Sequence, residues 1–313
     1  IRAAVEPIAK QEIEELRAEK SKDLGAALAA TKVNHWDTAY YSERIRRARF
    51  NVDQEKLRAY FPSDKSVDYV LLVAEKLYAL KFKQTQVPVW HPTVRHFEMY
   101  DGPSGKYMGD FYMDLFPREG KRPGAFAAPL RSPSTLAKRV PSAAMVANLD
   151  PRGLNQRELE TLLHEFGHEL NMVLSRVAYA PQALSTVKWD FVEAPSQMFE
   201  EWARREEALS LFKQVCPQCP ALSPAEARKL EEARRYGQAS AVARQWLLGA
   251  FDMELSTNPR PPLEVWKALE STTPLGYVEG TTFPTAFRHI AANYAAGYYS
   301  YICLLYTSDA ADE

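Results

Sequence analysis

The sequence predicts a mainly α-helical protein with one small antiparallel β-sheet, and three observations carry that prediction. Glycine is scarce, with 13 in 313 residues, well under the ~7% of an average protein, which argues against an all-β sandwich. Most of the chain places its apolar residues at the helical period. Strand-like alternation is confined to residues of about 95–148, where turn-forming residues separate the runs. Hydrophobic residues make up 46% and charged ones 25%, an ordinary mixture for a globular chain. Lys+Arg number 39 against 40 Asp+Glu, a net charge of 39 − 40 = −1, so a strongly basic nucleic-acid binder is not expected. No stretch approaches the ~18 uncharged apolar residues of a membrane span, so no membrane partner is expected either.

Taken in order, residues 1–30 read as a charged helix that begins at Ile1 rather than Met, as a chain entered mid-protein would. His35-Trp36-Asp37 leads into a basic helical stretch ending near Arg49. Val70, Leu71, Val73, Ala74, Leu77 and Leu80 form a helix-period stripe over 67–80,. Strands are expected at 95–101 and 106–116, linked by Asp101-Gly102-Pro103-Ser104-Gly105, and a third at 143–148,. Helical patterns then run to the end, with loops near Pro181, 216–224 and 259–262. Cys216-Pro217-Gln218-Cys219 has no second such pair and no nearby His, and reads as a loop holding reduced thiols,. So few cysteines suit a reducing, cytoplasmic setting. The run from Cys303 breaks the aromatic pattern before it, and residues 303–313 are expected to be a non-native, adapter-derived tail on a catalytic region spanning 1–302.

Chemistry enters at His164-Glu165-Phe166-Gly167-His168. At 3.6 residues per turn the two histidines leave one face of a helix and can hold one ion, with Glu165 beside them to act on the attacking water. The context supports a genuine helix. Asn155 followed by Glu158 resembles a capping box, and Leu159, Leu162, Leu163, Phe166 and Leu170 give an apolar stripe,. Gly167 costs such a helix about 1 kcal/mol relative to Ala, so something is expected to pass close to its backbone. A catalytic zinc takes three protein ligands and keeps a position for water. The extended pattern that would supply a third His nearby is excluded by Asn171 and Leu174,. Glu193, Glu200 and Glu201 are the downstream candidates. Glu193 is 193 − 168 = 25 residues past His168, enough to leave one helix and return on another. The zinc helices are expected within about 155–205. Glu160, four before His164, and Asp190, three before Glu193, suit carboxylates that orient ligands,. The strand at 143–148, including Ala143, Ala144 and Met145, is expected to offer its edge to an extended peptide.

These blocks resemble the family of thimet oligopeptidase, neurolysin and oligopeptidase A, zinc metallopeptidases. The resemblance covers about Trp36 to Ile302. It takes in His35-Trp36-Asp37, Tyr60-Phe61-Pro62, the run from Gly109-Asp110-Phe111 to Gly120-Lys121, the helix motif, and Asp190-Phe191-Val192-Glu193-Ala194-Pro195-Ser196-Gln197. It implies a zincin-type catalytic domain in a two-lobed helical oligopeptidase. One zinc ion would be held by His164, His168 and Glu193, with Glu165 as general base. The run from Arg288 to Tyr301 matches the family's substrate-contacting loop. There the resemblance implies that His289, Tyr298 and Tyr301 bind the substrate carbonyl or its oxyanion, with Tyr294 lining the channel. Two departures stand out: Asn171 replaces a family His, and Ala291-Ala292-Asn293 replaces a glycine-richer run. The implied function is zinc-dependent hydrolysis of short peptides by a monomeric endo-oligopeptidase. A peptidyl-dipeptidase of the same family and a catalytically silent peptide-binding relative are the alternatives.

Overall fold

In the computed structural model, residues 1–183, 187–292 and 294–303 are described, and the side chains of Trp189, Asp190 and Ala292 lie outside the description. The chain divides into two compact units, Asp53–Ala227 and the pair of segments Ile1–Val52 and Arg228–Glu313. Most of the segment read as a tail, 304–313, lies outside the described residues.

In the unit Asp53–Ala227 five strands form one sheet. They are β1 (Leu80–Thr85), β2 (Arg95–Asp101), β3 (Tyr107–Asp114), β4 (Phe126–Arg131) and β5 (Ser142–Val146), in the spatial order β1-β2-β3-β5-β4. The three expected strands are present and two more appear. The helix expected over 67–80 stops at Tyr78, because Ala79 turns left-handed at φ 51°. Leu80 therefore begins β1 instead of closing the helical stripe. β4 contains Pro129, which a ladder tolerates on an edge strand,.

The sheet is mixed, which corrects the expectation of an antiparallel one. β5 enters between β3 and β4, running parallel to β3 from Asp110↔Ser142 to Asp114↔Val146 and antiparallel to β4. A second correction follows. Ala143, Ala144 and Met145 sit on an inner strand, hydrogen-bonded on both sides and buried, so they have no edge to offer a peptide. The edge strand on that side is β4.

The helix Gln156–Leu174 packs against this end of the sheet. Its Leu159, Leu162, Phe166 and Leu170 bury with Phe97, Met99, Phe111, Met113 and Met145 in one core, and the Phe111 and Phe166 rings meet edge to face at 5.9 Å. A buried ionic knot ties the strand ends. Asp114 accepts from Trp90 Nε1, Arg118 and Lys121, whose Nζ also donates to the carbonyls of Phe116 and Ala147. Burial works to raise the Asp114 pKa, but those donors outweigh it and hold the carboxyl well below the usual range,. Cys216 and Cys219 are joined as a disulfide, with Cα atoms 5.3 Å apart, a separation usual for bridged cysteines. The expectation of reduced thiols is corrected accordingly.

The other unit is helical. Its helices include Arg2–Leu24, His35–Phe50, Gln238–Thr257 and Pro262–Glu270. The helix read from His35-Trp36-Asp37 opens on a capping box in which Asn34 N donates to Asp37. Leu247, Phe251, Val265, Trp266, Phe287 and Tyr298 make one of its core clusters, and Ile13, Leu16, Val33, Tyr41, Ile45 and Tyr236 make another. Among the described residues no helix is long and apolar enough to cross a membrane.

Candidate metal centre

The helix Gln156–Leu174 starts as its sequence predicts. Asn155 Oδ1 accepts from Glu158 N at 2.9 Å, and Glu158 Oε2 accepts from Asn155 N at 3.0 Å, satisfying amides that a helix end leaves unpaired. With the helix fixed, His164 and His168 project one turn apart, ring centroids 5.0 Å from each other. The third group arrives at the junction of two short helices, Trp189–Val192 and Ala194–Glu200. There Glu193, 2% exposed, brings Oε2 to 3.3 Å from His164 Nε2 and 3.0 Å from His168 Nε2. These three side chains are the one group of metal-binding donors found among the described residues, with donor atoms all within 4.8 Å of one another.

Gly167 explains how the second segment comes so close. A Cβ there would lie 2.7 Å from both Pro195 O and Ser196 Cα, so the helix and the Glu193 segment touch backbone to backbone. Ser196 then fixes the carboxylate, its hydroxyl donating to Glu193 O at 2.8 Å and Oε2 at 3.0 Å.

Outside this trio, His164 Nδ1 is 2.8 Å from Glu200 Oε1. Arg204 pairs with Glu200 and with Glu160, the latter at 3.2 Å. Glu160 thus joins one step further out, through Arg204, and the carboxylate on His164 is Glu200, which the sequence suggested only as a third ligand. Its spacing was the available signal: seven residues after Glu193, it falls two turns along on the same side. Asp190 lies in the short helix before Glu193, but its side chain is outside the described residues.

The electrostatics favour a cation. Burial opposes a charged His164, yet its hydrogen bonds to Glu193 and Glu200 outweigh burial and push its pKa up to about 10. Burial likewise works to raise Glu193, but both imidazoles hold it below the usual carboxylate range. Proton and metal therefore compete for one set of donors, and metal binding must release protons. Two imidazole nitrogens and one carboxylate oxygen are the donor set of a catalytic zinc. The 3.0 and 3.3 Å separations also suit tetrahedral edges of about 3.3 Å, given metal–ligand bonds of about 2.0–2.1 Å. Glu165 is 7% exposed, and its Oε2 has no hydrogen-bond partner among the described residues. Burial raises its pKa, partly offset by His164 and His168 and reinforced by Glu193, which suits a proton acceptor.

His289, Tyr294, Tyr298 and Tyr301 belong to the other unit. They gather around one another, with the His289 ring 5.5 Å from Tyr294, 5.4 Å from Tyr298 and 6.4 Å from Tyr301. Tyr298 is buried in that unit's core, with Tyr294 and Tyr301 packed against it.

The sequence profile of peptidase family M3 matches residues 1–306. The chain belongs to peptidase family M3. Among its relatives, oligopeptidase A of Salmonella typhimurium is 35% identical over 95% of this chain and 45% of its own length, and that of Escherichia coli is 34% identical with the same coverage. Dipeptidyl carboxypeptidase of Escherichia coli is 29% identical over 85% of this chain and 41% of its own. The M3 chain thus spans about half the length of the curated relatives it matches.

The outer carboxylate gives a test within this M3 site. Replacing Glu200 by Ala is expected to weaken metal affinity by about 10–100-fold, as loss of a ligand-orienting partner does. Competition with a chelator of known affinity measures it, and an unchanged affinity removes Glu200 from the site.

Proposed function

We propose that this chain is the metal-holding region of a zinc-dependent endo-oligopeptidase that hydrolyses short peptides. The observation that carries the reading is the convergence of Glu193 Oε2 on both imidazoles beside a buried Glu165. His164, His168 and Glu193 are the residues that would hold one zinc ion. Bound there, zinc supplies Lewis acidity to a carbonyl and lowers the pKa of water. Glu165 takes the proton of the attacking water and returns it to the leaving amine. Glu200 and Ser196 keep the imidazole and the carboxylate in place. The carbonyl-holding roles of His289, Tyr298 and Tyr301, and of Tyr294 in the channel, rest on the family resemblance. So do the two-lobed zincin architecture and the monomeric state, while the cytoplasmic setting rests on the scarcity of cysteines.

Endopeptidase action is preferred because the oligopeptidase A proteins of Salmonella typhimurium and Escherichia coli are more similar to the chain, at 35% and 34%, than the dipeptidyl carboxypeptidase, at 29%. The full-length gene product should cleave a quenched fluorescent peptide, lose that activity to a chelator and regain it with zinc. Peptides amidated at the C-terminus should still be cut internally. Cleavage only two residues from a free C-terminal carboxylate would select the peptidyl-dipeptidase, and chelator-insensitive cleavage would defeat the metal mechanism.

A further inference from the structure

The loop that carries Tyr298 is held by a residue far from it in sequence. Asp252 lies on the helix Gln238–Thr257 and is 1% exposed. Its two oxygens accept separate backbone amides, Ala296 N to Oδ1 at 2.8 Å and Tyr298 N to Oδ2 at 3.0 Å. Gly249, three residues earlier and so on the same helix face, lies against the same loop: a Cβ there would stand 3.4 Å from Tyr299 Cα, at ordinary contact distance. The loop between the two amides bends through Ala296 at φ 57°, a left-handed conformation that residues with a Cβ avoid. Within the loop Gly297 N donates to Tyr294 O at 2.9 Å across that bend, and from outside it a carboxylate receiving two amides adds a strong, directional hold.

We infer that Asp252 is a positioning residue, fixing the backbone of 296–298 so that Tyr298 leaves it in one direction. Fixing the Ala295–Ala296 and Gly297–Tyr298 peptide planes sets the direction in which Tyr298 leaves the backbone, and burial of its ring in that unit's core keeps the hydroxyl in place. The use made of that hydroxyl rests on the peptidase reading above; the anchor itself rests on the hydrogen bonds.

Two measurements on the full-length gene product test this. In hydrogen exchange, the Ala296 and Tyr298 amides should be protected, and Asp252→Asn, whose amide group turns a donor toward one of them, should speed their exchange by about 100-fold, the factor for about 2.7 kcal/mol. Rapid exchange of both amides in the unaltered protein overturns the anchor. In kinetics, Asp252→Asn should lower kcat by about 100-fold while leaving zinc content unchanged. In a Tyr298→Phe background the same substitution should cost only about 2-fold, because the group it positions is already gone. An equal cost in both backgrounds overturns the positioning role. If Asp252→Asn does not fold, Asp252→Glu, which keeps the charge but adds a methylene, takes its place in the cycle. An unaltered protein that cleaves no peptide sinks the peptidase reading alone, since exchange still decides the anchor.

Discussion

Replacing Glu165 by Gln is expected to leave the metal bound and to remove nearly all turnover. Glu165 is not one of the three converging donors, and Gln matches its size, so the imidazoles and Glu193 keep their places. What disappears is the proton acceptor. A buried carboxylate whose pKa is raised, mainly by burial, is a stronger proton acceptor than an exposed one, and such catalysis is worth about 10²–10⁴-fold. At about 1.36 kcal/mol per decade, a 10³-fold loss is about 4 kcal/mol of barrier. Metal content measured alongside kcat/KM on a fluorescent peptide separates the outcomes. Unaltered turnover would remove Glu165 as the base, whereas loss of metal would show a structural role instead.

The second large effect is expected from Gly167→Ala. In an exposed helix this change stabilises by about 1 kcal/mol. Here the sign should invert, because the new methyl would meet Pro195 O and Ser196 Cα at 2.7 Å, and both are backbone atoms that no rotamer change can move. Relief requires shifting the segment that carries Glu193. Overpacking of this kind costs about 1–3 kcal/mol of stability, and metal donors tolerate displacements of only about 0.2 Å. Metal affinity should therefore fall by about 10–100-fold, the range seen when ligand positioning is disturbed. Thermal unfolding together with metal titration tests it. A variant that melts higher and binds metal as before would mean that the two segments are not pressed together.

Much of this centre was legible in the sequence because its determinants are local. The capping pair Asn155 and Glu158, the two histidines and the apolar stripe all act within one helix, where the period alone places them. Gly167 was legible as an anomaly: a residue that weakens a packed helix implied a close neighbour, and Pro195–Ser196 is that neighbour. What escaped depends on pairing across long stretches of chain. β1 merged with a helical stripe because Leu80 fits either period, and only the left-handed Ala79 separates them. The parallel pairing of β3 with β5 and the inner position of Ala143, Ala144 and Met145 depend on where β4 folds back. Glu200 was legible as one of three candidate carboxylates for the site, and nothing in its spacing distinguishes a partner for Nδ1 from one for Nε2. Asp252 carries no local signal at all, for its partners are amides 44 and 46 residues away.

The source of the third donor has a consequence for folding as well. His168 and Glu193 are separated by 193 − 168 = 25 residues, so an ion shared between them closes that stretch of chain into a ring, as a cross-link would. Ring closure removes conformational freedom from the unfolded chain, and any ligand that prefers the native state raises the melting point with its concentration. Stripping the cation should thus soften the protein at the same time as it silences it, and heat tolerance becomes a readout of occupancy that needs no substrate.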